Sequence, residues 1–192
     1  MRDWTPYIPL MLQGLLVTVQ LTLLSAFFAM IIAFVAGIGR ASPHRTLRLA
    51  ATAYVEFFRG TSIFVQLFWA YYVLPLFGLS LSPLVAGVAV LSLNVGAYGA
   101  EVVRGAIQAI GRGQREACRA LNLTPRQAMR HVIIPQAFVI MLPVFGNNAI
   151  ELLKATSVVS LISLADLTFQ AQVVRSQTGN AVMPFLFILV LY

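Results

Sequence analysis

The sequence predicts an all-α, polytopic membrane domain, and three observations carry that prediction. Of its 192 residues 59% are hydrophobic and 10% are charged, whereas a soluble domain carries about 25% charged residues. The apolar residues fall in uncharged stretches, several of them as long as a bilayer-crossing helix, which needs about 20 residues. The basic residues are gathered between those stretches rather than spread over the chain. With only 13 basic and 6 acidic side chains to cover its surface, the chain is excluded as a soluble enzyme, a disordered polypeptide or a nucleic-acid-binding module.

The elements follow in order. Met1–Trp4 lacks the charged n-region and small-residue cleavage site of a signal peptide. Leu10–Ile38 is uncharged and makes the first span; Gly37, Gly39, Ser42 and Pro43 end it. The uncharged stretch between Arg59 and Glu101 is too long for one helix, and Pro75, Gly78, Ser80 and Pro83 interrupt it. Two antiparallel spans are predicted there, Glu56–Leu76 and Pro83–Arg104, with Trp69, Tyr71 and Tyr72 as an interfacial belt toward the outer end. A fourth span runs from Val132 to Glu151, kinked or broken by Pro135, Pro143 and Gly146. Ala155–Ala165 is too short to cross ~30 Å of hydrocarbon and is predicted to be re-entrant or cavity-lining. Val182–Tyr192 opens a fifth span, incomplete in this chain. Residues 1–192 thus read as one transmembrane domain.

Ten of the 13 basic residues lie in two stretches: Arg40, Arg45, Arg48 and Arg59, then Arg104, Arg112, Arg115, Arg119, Arg126 and Arg130. Basic clusters between apolar spans mark the cytoplasmic side, so the N-terminus is placed outside. A net charge of +7 therefore reports topology rather than nucleic acid. Cys118 is the single cysteine, which rules out an internal disulfide and a cysteine metal site; it reads as a buried small residue. His44 and His131 lie far apart among arginines, without the neighbours a metal site needs.

Gly111–Pro135 stands apart from the spans. Gln114–Leu121 reads as a short helix, followed by Asn122 as a left-handed C-cap. Thr124, Pro125 and Gln127 then write an N-cap, a proline at the first helical position and the third-position partner of a capping box. A helix, a sharp turn and a second helix are predicted, in a loop that the charges put in the cytoplasm. This construction suits a rigid docking element better than a solvated loop.

The run Glu116–Ala137, EACRALNLTPRQAMRHVIIPQA, resembles the EAA motif of ABC importer permeases. FFRGTSIFVQLFWAYY (Phe57–Tyr72), NVGAYGAEVVRGAIQAIGRGQ (Asn94–Gln114) and LLKATSVVSLISLADLT (Leu152–Thr168) resemble the polar-amino-acid permeases that import histidine, glutamine, arginine or cystine. Two positions depart from the family pattern: Cys118 stands third in the EAA motif, and Asn122 stands where the turn glycine is usual. The resemblance implies a type I importer fold with a coupling helix, which sits in a cleft of a cytoplasmic ABC ATPase dimer at about residues 111–131. It makes Gln114, Arg115, Glu116, Ala117, Cys118 and Asn122 the coupling and turn positions. It also implies a second permease subunit, identical or homologous, and an extracytoplasmic substrate-binding protein, in a bacterial inner membrane.

Independently, no G-x-x-x-x-G-K-[ST] loop is present. The chain itself is then no enzyme and binds no cofactor; ATP and Mg belong on the partner ATPase. Polar groups inside spans default to functional candidates. Asn147, Asn148, Glu151 and Lys154 follow the Pro143–Gly146 break, and Glu151 with Lys154 can also be an i, i+3 pair that merely neutralises both charges. Asn94, Tyr98 and Glu101 form a second stripe, which serves equally well for helix packing. Glu56 and Arg59 read as span-end anchors, and the resemblance places Thr156, Ser157 and Asp166 in the family's outer gate region. The leading function is import of a polar amino acid or related zwitterion, ectoine and opines included. A stand-alone secondary transporter or channel is the alternative, and a non-transporting membrane scaffold a third reading.

Overall fold

The computed structural model describes residues 5–192; the signal-peptide reading of Met1–Trp4 lies outside them. Every regular element among the described residues is helical, as the composition requires. Helix α1 is Ile8–Arg40, α2 Arg45–Gly60, α3 Ile63–Phe68, α4 Pro83–Ala109 and α5 Arg112–Ala120. Helix α6 is Pro125–Ala128, α7 Ile134–Ala155, α8 Leu167–Thr178 and α9 Val182–Leu191. Among the described residues three helical runs are long and apolar enough to cross a membrane: α1, α4 and the continuous Pro125–Ile162. Arg45–Gly60 and Ile63–Phe77 pass that test together as a bent pair, and α9 is a shorter apolar helix.

Three predicted segments need correction. The predicted span Glu56–Leu76 is not one helix, because α2 stops at Gly60 and Ser62 is extended, with φ −70° and ψ 135°. A glycine followed by two hydroxyl residues favours local bonding over helix continuation. Gln66 then satisfies part of the break, donating from Nε2 to the Thr61 carbonyl at 3.2 Å and to its Oγ1 at 2.6 Å.

The fourth span is neither broken nor as short as predicted. It begins at Pro125 and passes through Pro143 and Gly146 without interruption. Pro135, at the second position of α7, follows a π-turn over Met129–Ile133. That wider turn makes room for the pyrrolidine ring, which in a regular helix meets the carbonyl four residues back. The same device precedes Pro75, where a π-turn covers Trp69–Val73.

Ala155–Ala165 is not re-entrant. Thr156–Ile162 continues the run as a 3-10 helix that ends at Ser163, a left-handed residue at φ 61°. Hydroxyls of Thr156, Ser157 and Ser160 donate to the carbonyls of Leu153, Lys154 and Ser157 at 2.6, 2.8 and 2.8 Å. These i, i−3 bonds accompany the tightened turn.

The chain resolves into two compact units. One holds the chain up to Phe27, Thr61–Ser92 and Ile150–Tyr192. Met11, Leu167, Ala171 and Val174 form a core there, flanked by Leu15, Phe187 and Ile188. Thr18 Oγ1 donates to the Gly14 carbonyl at 3.1 Å and accepts from the Leu167 N–H at 3.1 Å, which ties α1 to the start of α8.

The other unit holds Phe28–Gly60 and Leu93–Ala149. Its core is Val103, Ala106, Ile107, Ile110, Ile133, Ala137 and Met141. Here α1 and α4 approach closely through small residues, as helices do where lipid supplies no hydrophobic drive between them. A Cβ at Gly37 would lie 2.5 Å from Val103 Cβ and 2.8 Å from the Ala100 carbonyl oxygen. One at Gly99 would lie 2.7 Å from Ala33 Cβ.

Candidate functional site

The helix, sharp turn and second helix predicted over Gly111–Pro135 form. Leu121 is the C-cap of α5, and Asn122 sits in the left-handed region at φ 53°. The Asn122 N–H donates to the Arg119 carbonyl at 2.9 Å, and the Leu123 N–H to the Cys118 carbonyl at 3.0 Å. That pair of bonds is a Schellman motif, which satisfies carbonyls the helix end would otherwise leave open. One residue later Thr124 Oγ1 accepts from the Gln127 N–H at 3.4 Å, while Gln127 Oε1 accepts from the Thr124 N–H at 2.9 Å. Two caps three residues apart fix the angle between α5 and α6. Two side-chain bonds hold α5 to the long helices: Arg115 Nη2 donates to the Ile107 carbonyl at 2.9 Å, and Gln136 Nε2 to Gln114 Oε1 at 3.2 Å. Cys118 is buried, whereas Gln114, Glu116, Ala117 and Arg119 are exposed.

The second candidate group, in the same unit, is larger than the stripe Asn94, Tyr98 and Glu101. Asn94 is buried, and its Nδ2 donates to the Phe58 carbonyl at 3.0 Å. Glu101 accepts from Arg104 Nε at 3.0 Å on Oε1 and pairs with Arg40 on Oε2. Arg40 also reaches Glu56 at 3.4 Å, and Arg104 donates to Gln108 at 2.7 Å. The guanidinium of Arg59 lies 5.3 Å from the centre of the Tyr98 ring, a cation–π contact. The sequence reading missed Arg40, Glu56 and Arg59 as members of this group, having assigned them to topology and span ends. They lie on α1 and α2, with Arg40 against Glu101, Glu56 against Arg40 and Arg59 over Tyr98, contacts far apart in the chain that no local spacing reveals.

The remaining candidates are not drawn into one cluster. Asn147 is exposed, while the Nδ2 of Asn148 is buried without a partner. Glu151 and Lys154 are both exposed on the last turns of α7. Thr156 is buried and its hydroxyl lies 3.4 Å from that of Tyr192; Ser157 bonds only within its own turn. Asp166 is the buried N-cap of α8, accepting from the Phe169 and Thr168 N–H groups at 2.9 and 3.3 Å. Burial pushes its carboxyl up to about 6 in spite of those donors.

The family model described as binding-protein-dependent transport system inner membrane component matches residues 29–192. The chain belongs to this family. As a family member it is a multi-pass inner-membrane component that works with an ATPase and a binding protein. It is 47% identical to "Probable amino-acid ABC transporter permease protein y4tF" of Sinorhizobium fredii, over 99% of this chain and 82% of that protein. It is 37% identical to the L-cystine transport system permease protein TcyB of Bacillus subtilis, over 91% of this chain and 75% of that one. Among solved structures, one described as an amino acid ABC transporter with histidines superposes with a TM-score of 0.93 at 38% identity, covering 100% of this chain and 91% of the other. The inward-facing MetNI methionine transporter superposes at 0.80 with 24% identity, over 97% and 91%, a likeness of fold alone. The type I importer permease fold is thereby established for this family member.

Proposed function

We propose that this chain is the membrane-spanning permease subunit of an ABC importer for a polar amino acid or a related zwitterion. The observation that carries the proposal is the doubly capped α5–α6 element. It presents Glu116 and the small Ala117 outward from a helix bonded to both α4 and α7. In this reading α5 docks into a cytoplasmic ABC ATPase dimer, and ATP with Mg is bound and hydrolysed there. Closure of that dimer pulls α5, and the Arg115 and Gln136 bonds pass the displacement to α4 and α7. The cytoplasmic arginine clusters then leave the N-terminus outside, where a binding protein delivers the cargo. A second permease subunit, identical or homologous, completes the pore. The names of the relatives, an amino-acid permease and a cystine permease, support an amino-acid cargo.

Asn94, Tyr98, Glu101, Asn147, Asn148, Glu151, Lys154, Thr156 and Ser157 are the proposed path positions. Reconstitution with the ATPase and binding protein tests the function. ATP-driven uptake of radiolabelled amino acids is expected, with none when the ATPase is omitted. Uptake that persists without the ATPase would sink the reading. Glu151→Gln tests the path: uptake is expected to fall with subunit abundance unchanged. Loss of abundance in Glu151→Gln and in Lys154→Gln, restored with wild-type uptake in the double variant, would instead make the pair structural.

A further inference from the structure

The corner between α1 and α2 carries two arginines without a carboxylate among the described residues. Helix α1 is 33 residues long, about 50 Å at 1.5 Å per residue, whereas the hydrocarbon of a bilayer is about 30 Å thick. Its basic end at Arg40 therefore reaches the level of the headgroups. Helix α2 folds back along it: a Cβ at Gly39 would lie 3.2 Å from Ala51 Cβ, and Val55 packs with Ala36. The first turns of α2 thus start beside the end of α1, at the same level. Every residue from Pro43 to Ala50 is exposed there. No acidic residue stands between Asp3 and Glu56, and Glu56 pairs with Arg40. Among the described residues Arg45 and Arg48 form no ion pair, and Arg48 Nη1 reaches only the Ser42 carbonyl, at 3.5 Å. At about 3.6 residues per turn, Leu47, Ala50 and Phe57 project to the opposite side of α2 from Arg45, Arg48 and Thr52. Leu47 and Phe57 are 51% and 59% exposed.

We propose that this corner is a docking surface for an anionic phospholipid. Arg45 and Arg48 take the headgroup phosphate, while Leu47 and Phe57 lie against the acyl chains. Cations on one side and apolar residues set apart on the other are what a helix at the membrane surface needs. Each guanidinium offers paired N–H donors that fit phosphate oxygens. Charge selects the lipid: a zwitterionic headgroup brings its own cation to the phosphate, so the corner prefers a lipid of net negative charge, such as phosphatidylglycerol. Arg40 and Arg104 add nothing to it, since both are engaged with Glu101. The bilayer surface is the partner that the end of a span meets of necessity, which favours a lipid over a protein here. A lipid held in this way ties the α1–α2 corner to the membrane surface whatever the cargo.

The test uses the whole importer, permease with ATPase and binding protein, purified in a neutral detergent. Phosphatidylglycerol and, separately, phosphatidylcholine are titrated in, and the lipids retained are counted by native mass spectrometry. An arginine near an anionic surface contributes about fivefold to affinity, so Arg45→Gln with Arg48→Gln is expected to weaken phosphatidylglycerol binding about 30-fold. Phosphatidylcholine binding is expected to change by less than about threefold, and Arg45→Lys with Arg48→Lys, which keeps the charge, should retain most of the phosphatidylglycerol affinity. Both arginines are exposed, so the glutamine pair is expected to assemble and to melt within about 2 °C of wild type in the detergent. Arg126→Gln with Arg130→Gln removes the same charge from exposed positions in the α5–α6 region and is expected to leave phosphatidylglycerol affinity within about threefold of wild type. An affinity of the Arg45 and Arg48 glutamine pair within about threefold of wild type would overturn the proposal. So would an equal loss in the Arg126 and Arg130 pair, which would reduce the effect to net charge. Loss of the ATPase or of the second permease subunit from the Arg45 and Arg48 pair would overturn it too, by giving the corner a protein partner instead.

Discussion

Placing a carboxylate at Ala117 confronts the coupling proposal directly. In this chain Ala117 lies exposed on α5, so Ala117→Asp buries nothing in the isolated subunit. Its cost there is the helix-propensity difference between Ala and Asp, about 0.5–0.7 kcal/mol. The Schellman motif at its C-terminus and the bonds from Arg115 and Gln136 remain, so α5 should persist. In the proposed complex the same position is covered by the ATPase, and an unpaired charge left in such a contact costs on the order of 2–5 kcal/mol. That range is roughly 30-fold to several-thousand-fold in the dissociation constant. The assay is titration of the purified ATPase dimer onto the permease in lipid nanodiscs, alongside ATP-driven uptake. The variant should reach the membrane at wild-type abundance while retaining neither the ATPase nor transport. ATPase affinity within about threefold of wild type, with normal uptake, would refute the reasoning.

The α1–α4 contact makes a second prediction. Gly37→Ala would set a Cβ 2.5 Å from Val103 Cβ and 2.8 Å from the Ala100 carbonyl oxygen, and should destabilise by about 1–3 kcal/mol, read as a lower melting temperature in detergent. Gly146→Ala, where nothing lies within 4 Å, should be neutral or stabilising by up to about 1 kcal/mol. Asp166 predicts a pH dependence. Its carboxyl is raised to about 6 in the folded chain, so its contribution is favourable at low pH and is lost as pH rises through about 6. Counted from below pH 4, the loss is on the order of 3 kcal/mol by pH 8, and Asp166→Asn, which keeps the N-cap, should flatten the fall in melting temperature between pH 4 and pH 7.

Legibility in the sequence followed the range of the interactions. The α5–α6 element was readable because its caps are local: Asn122, Thr124, Pro125 and Gln127 each act within a few residues. Spans α1 and α4 were readable because length and apolarity alone decide them. Of the kink or break expected at Pro143, the break does not occur, since proline in a membrane helix removes one bond without ending the helix. Pro75 and Pro135 are absorbed by π-turns, and a period of 3.6 residues does not reveal where such a turn falls. The break after Gly60 was hidden by apolar residues on both sides of it. The charge group was the least legible part, because Arg40 and Glu101 are 61 residues apart and meet only when α1 lies against α4. The stripe Asn94, Tyr98 and Glu101 was readable at helical spacing, but not that Arg40 and Arg59 come to lie against it.

The two kinds of contact between α1 and α4 bear on how a pull on α5 is used. Gly37, Gly99 and Ala33 let the backbones approach, so the helices cannot shear without driving small side chains into a neighbouring backbone. Arg40 and Glu101 then pin the same pair with a partly buried ion pair, to which Arg104 adds a second guanidinium on Glu101. Arg115 bonds the Ile107 carbonyl on α4 itself, not a loop. In the proposed coupling, a displacement of α5 would therefore reach α1 and α4 as one body. A lone helix would dissipate it by bending. Weakening the pin while leaving α5 intact, as in Glu101→Gln, should keep ATPase binding yet uncouple it, so that ATP is hydrolysed with less cargo moved per turnover.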